Sequence, residues 1–104
     1  MCYRDSMAIT FRNQGTEDVF NGVSSKAARK VCPPSVVERA REKLFLVDDA
    51  ETLEDLRIPP GNRLEALRGD RSGEYSIRIN RQYRICFRWS EQGARDVEIT
   101  DYHS

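Results

Sequence analysis

Histidine is almost missing from these 104 residues: there is one, His103. The three cysteines, Cys2, Cys32 and Cys86, are odd in number, widely spaced and without a C-x-x-C pair. So few imidazoles and thiols leave no spacing that reads as a metal site, and no cofactor is expected. Reduced thiols in the cytoplasm are the simplest expectation. Long apolar runs are also lacking. None approaches the roughly 18 residues of a membrane span, so no membrane partner is expected. The stretch from Met1 to Thr10 lacks the basic and apolar regions of a signal peptide. Repeats, linkers and low-complexity tracts are missing. What is present is 38% hydrophobic and 33% charged, which fits one soluble domain with a thin core. Residues 1–6 carry no pattern and read as a loose extension, leaving residues 7–104 as the single domain.

The net charge is zero, but it is unevenly placed. Residues 61–89 hold seven arginines and three carboxylates, a net of +4, and the rest of the chain carries −4. The basic groups of that stretch are all arginine, whose planar fork suits phosphate better than the point charge of lysine.

Periodicity divides the chain into a helical half and an alternating half. Residues 8–12 alternate and predict a short strand with Ile9 and Phe11 on one face. Thr16 is the expected N-cap of a short helix that ends at Asn21-Gly22. Residues 23–34 carry no clear pattern apart from the basic group Lys26, Arg29 and Lys30. Ser35 and Glu38 fit a capping box, and Val37, Ala40, Leu44 and Val47 then share one helical face. Thr52 to Arg57 suggests one further turn, stopped by Pro59-Pro60-Gly61. Residues 63–68 read as a strand. Tyr75, Ile77 and Ile79 alternate before an Asn80-Arg81 hairpin turn, and Tyr83, Ile85, Phe87 and Trp89 alternate after it. A turn at Gly93 leads to a last strand through Val97 and Ile99. The expected architecture is α+β: a small antiparallel meander with two to three N-terminal helices packed on one face.

That alternation gives the arginines a direction. With Tyr83, Ile85, Phe87 and Trp89 toward the helices, Arg84 and Arg88 point away, joined by Arg78. These outer-face arginines are expected to stand without interleaved carboxylates, as an exposed anion platform. The chain closes on Asp101-Tyr102-His103, a carboxylate, a phenol and the one imidazole. Cleavage of RNA by its own 2′-OH needs a base, cations at the phosphoryl oxygens and an acid for the leaving oxygen. A charged solvent face is the ordinary alternative for the arginines, and edge packing for Tyr102.

The ordered set of motifs is specific. Gly61-Asn62-Arg63-Leu64-Glu65-Ala66-Leu67-Arg68-Gly69-Asp70 is followed by Gly73, Tyr75-Ser76-Ile77-Arg78-Ile79-Asn80, Tyr83-Arg84-Ile85-Cys86-Phe87-Arg88-Trp89 and Asp101-Tyr102-His103. Over about residues 7–103 it resembles the HigB branch of the RelE/ParE toxin superfamily, and the similar GraT toxins, which share the Gly-Asn-Arg-Leu-Glu form. The resemblance implies a type II toxin that cuts mRNA on the translating ribosome. It also implies neutralisation by a HigA-like helix-turn-helix antitoxin, with DNA reached only through the toxin–antitoxin complex. By matching positions it assigns catalytic roles to Arg84, Glu65, Arg68, Asp101, Tyr102 and His103. Glu65 stands where HigB toxins commonly have histidine. Arg78, Arg88, Arg63, Arg71, Lys26 and Lys30 are the expected RNA or ribosome contacts. Two rival functions keep the fold: a ParE-like inhibitor of DNA gyrase, and a non-enzymatic module binding RNA or protein.

Overall fold

A computed structural model describes residues 9–101. The suggested extension at residues 1–6, and Tyr102 and His103, lie outside the described residues. Among these the order is α1 (Gln14–Asn21), α2 (Lys26–Val31), α3 (Pro34–Asp49), β1 (Glu65–Ala66), β2 (Glu74–Arg78), β3 (Tyr83–Ser90) and β4 (Gly93–Asp101), with short 3-10 turns between α3 and β2. The strands form one antiparallel sheet in the order β1-β2-β3-β4. The three helices pack against its β3 and β4 side. The expected α+β meander is therefore present.

The helix starts differ from expectation. Asn13, not Thr16, caps α1 by accepting the Thr16 amide at 2.9 Å. Thr16 is fully buried and its Oγ1 accepts the Ile99 amide at 3.0 Å, which ties α1 to β4. A hydroxyl facing a strand amide is better used there than at the helix mouth. Gly22 ends α1 in the left-handed region, as its sequence position suggests. The patternless stretch contains α2, capped by the Ser25 hydroxyl on the Ala28 amide. Ser35 caps nothing: α3 already begins at Pro34, where a missing N–H is harmless. Ala40, Leu44 and Val47 of α3 are buried against Ile77, Ile85, Phe87, Val97 and Ile99 of the sheet.

Two expected strands shrink. Residues 8–12 give only one parallel bridge, Phe11 to Val97, among those described. The strand read over 63–68 is reduced to Glu65–Ala66. Arg63 just before it is left-handed (φ 47°, ψ 57°), and a 3-10 turn at Gly69–Arg71 follows. Leu64 and Leu67 are out of phase for a pleat, and the backbone follows them rather than the alternation.

Candidate active site

The register of the sheet settles which side chains share its far face. Glu65 pairs with Ser76, Ser76 with Cys86, Arg78 with Arg84 and Arg84 with Thr100. Paired residues point the same way, so Glu65, Ser76 and Arg84 converge on the face away from the helices. The direction expected for Arg84 is correct. Its exposure is not: the residue is 8% accessible. The irregular segment around Arg63 lies over it. Arg84 Nε donates to Ser76 Oγ at 2.8 Å, and Nη2 donates to the Arg63 carbonyl at 2.9 Å. Glu65 Oε2 stands 3.8 Å from Nη2, and its side chain is 52% exposed where that of Arg84 is 10%. A solvent-reaching carboxylate thus sits against a fixed, sunken guanidinium.

The rest of the face is no bare arginine platform. Glu74, 3% exposed, and Glu98 are interleaved with the cations. Arg71 bridges Glu74 at 2.9 Å and Glu98 at 3.0 Å, while Arg12 reaches the same two at 3.4 and 3.1 Å. Arg88 lies 3.9 Å from Glu74 and 3.5 Å from Asp96. A carboxylate buried this deeply requires such partners. Burial alone would lower the Arg71 pKa, but the Glu98 hydrogen bond and the surrounding negative charge carry it upward. Arg71, expected among the RNA contacts, here bridges two carboxylates of the sheet with a third of its side chain exposed. Burial pushes the Cys86 thiol up despite Arg71 nearby.

The remaining expected site residues scatter. Arg68 and Arg63 are exposed on either side of β1. Asp101 is the register partner of Tyr83, one step past the partner of Arg84, so alternation aims it to the helix face. It accepts from Gln82 Nε2 at 3.1 Å, and its charge adds to the burial that raises the Tyr83 pKa. Lys26 and Lys30 lie in the helical layer. Sequence reasoning missed Ser76, Arg12 and Glu74. The signal for two of them was available, since Glu74 and Ser76 alternate with Arg78 along one strand.

A four-stranded antiparallel meander of this order with helices on one side defines a small two-layer α+β class of protein. The YoeB dimer from Staphylococcus aureus matches with a TM-score of 0.60 at 24% identity, covering 98% of this chain and 100% of that one. The YoeB–YefM complex from the same organism gives 0.59 at 22%, covering 93% of this chain and 97% of that chain. These likenesses concern the fold. Sequence carries the assignment further: residues 10–103 match the family of RelE-like toxins of type II toxin-antitoxin systems, HigB. Toxin HigB-1 of Vibrio cholerae is 39% identical over 83 residues, 80% of this chain and 84% of that protein. Endoribonuclease HigB of Proteus vulgaris is 30% identical over 98 residues, 93% of this chain and all of that one (100%). The chain belongs to the HigB-like toxin family.

Proposed function

We propose that this toxin is an endoribonuclease that cuts mRNA in the cytoplasm on the translating ribosome. The observation that carries the reading is Glu65 standing 3.8 Å from a guanidinium locked by Ser76 and Arg63. Glu65 takes the proton from the 2′-OH. The 2′-oxygen bonds to phosphorus, the P–O5′ bond breaks, and a cyclic 2′,3′-phosphate and a 5′-hydroxyl result. Arg84, with Arg68 from the rim, neutralises the charge that builds on the phosphoryl oxygens. Preorganised donors of this kind contribute most where water is excluded, and Arg84 is in such a position. His103, assisted by Tyr102, supplies the proton to O5′. Arg63, Arg78, Arg88, Lys26 and Lys30 guide the RNA or the ribosome.

A toxin of this family implies an antitoxin. The proposed partner is a HigA-like helix-turn-helix protein that masks this face and brings the pair to DNA. With zero net charge, the chain relies on the ribosome for positioning rather than on affinity for free RNA. The test is to express the chain and map mRNA 5′ ends with and without active translation. Translation-dependent ends, lost in Arg84→Ala by about two to three orders of magnitude in rate, are expected. Undiminished cutting by that variant, or inhibition of gyrase supercoiling without new RNA ends, would remove the assignment.

A further inference from the structure

The far face balances its cations with carboxylates, but one cavity of the molecule does not. A cavity of about 550 Å³ opens between α3 and the β2–β3 hairpin. Arg39 and Lys43 of α3, Arg78 of β2 and Arg81 of the hairpin line it, with Glu42 as the sole acidic wall residue. Among the described residues none of the four cations is within salt-bridge distance of a carboxylate. Two are held in place by uncharged groups instead. Lys43 Nζ donates to Asn62 Oδ1 at 2.5 Å, and fully buried Asn62 is in turn fixed by donating to the Leu56 and Ile58 carbonyls. Arg78 Nε donates to the Asn80 carbonyl at 3.1 Å. Gly61 forms the remaining wall, where even a Cβ would meet nothing within 4 Å. Burial, then the nearby Arg39 charge, lowers the Lys43 pKa, with Glu42 acting against them.

We infer that this cavity is a second anion subsite that takes a backbone phosphate of the RNA flanking the one held at Arg84. The two places are contiguous. Arg78 and Arg84 are register partners, about 5 Å apart along the ladder. The segment that gives Gly61 to the cavity gives the Arg63 carbonyl to Arg84 two residues later. Mixed arginine and lysine donors on fixed supports are what a tetrahedral phosphodiester oxygen pair requires. The inference rests on the nuclease reading for the identity of its ligand.

The experiment measures binding of a short 2′-O-methyl RNA, which cannot be cut by 2′-OH attack, at low ionic strength over a salt series. Arg39→Gln and Arg81→Gln, both at exposed positions, are compared with Arg57→Gln, which removes the same charge away from the cavity. The cavity variants are expected to weaken binding about 3- to 10-fold and to flatten the log–log salt slope by about 0.7, one phosphate contact on a single strand. Arg57→Gln is expected to leave both unchanged. Cavity variants that bind like the unsubstituted chain overturn the subsite, even where mRNA is still cut. Inorganic phosphate displacing the RNA as tightly as RNA binds would make it a free-anion site and overturn the RNA assignment. Altered slopes without any cleavage by the unsubstituted chain would uphold the subsite and sink the nuclease reading instead.

Discussion

Arg84 commits donors to the protein itself, one to a side-chain hydroxyl and one to a main-chain carbonyl. A buried guanidinium needs such partners, and losing one exposes the full cost of its desolvation. Ser76→Ala is therefore expected to destabilise the fold by about 1–3 kcal/mol in urea titration. It should also slow cleavage, with Ser76→Thr, which keeps the oxygen, recovering both. Glu65→Gln keeps the shape but removes the proton acceptor. It should lower the cleavage rate by about two orders of magnitude or more while leaving the denaturation midpoint near its original value. At this scale the sequence was informative about direction and silent about cover. Period-two alternation assigned Arg84 to the far face, because pleating leaves no other choice. What roofs it is the segment through left-handed Arg63, whose path has no periodicity to read. The carboxylates at 74 and 98 were visible, but their meeting depends on the register of three strands together.

At the level of elements, the helical layer depends on a close joint. A Cβ on Gly15 of α1 would collide with the Ala27 carbonyl of α2 and lie 2.7 Å from Val31 Cγ1. Gly15→Ala should separate the two helices and lower stability by about 1–3 kcal/mol, measurable as a drop in Tm. The same joint carries a pH dependence. Asp18 accepts from Ser25 at 2.7 Å and Gln14 at 2.8 Å, and these bonds, Ser25 first, hold its pKa below the ordinary 3.8. A depressed carboxyl stabilises the fold above its unfolded value and loses that contribution as pH falls through the folded one. The stability gap between the unsubstituted chain and Asp18→Asn should thus narrow below about pH 3.8, and a gap that persists unchanged would contradict it. In the sheet, Glu74→Ala would leave Arg12 and Arg71 to share Glu98 and Arg88 to rely on Asp96, and is expected to cost about 1–3 kcal/mol in urea titration. The long apolar face of α3 and the β2–β3 hairpin were legible because their periods run over many residues. The helix starts were not, since Asn13 takes the capping role that Thr16 matches, and α3 begins at Pro34 with Pro33 before it and no side-chain cap.

For the molecule as a whole, two-layer construction separates the labours. Apolar contact between helices and sheet supplies the core, and the far face is left for ions. The uneven charge along the chain pointed to the C-terminal half, which carries most of the ion-paired far face. It could not show that much of that charge is neutralised within the fold, because pairing across the sheet is invisible to a running sum. Affinity for RNA should therefore be modest and strongly salt-dependent, a result that filter binding at two ionic strengths would check.

The short bridge between Phe11 and Val97 closes part of an open rim of the sheet. Thr10 and Arg12 satisfy the Val97 amide and carbonyl on the outer rim of β4, and at the opposite rim β1 offers only two residues. Among the described residues neither flank of the sheet presents a long row of vacant main-chain groups, the kind of row on which a second strand could template. Edge-to-edge pairing of the sheet with another strand is thereby left little purchase along these two rims.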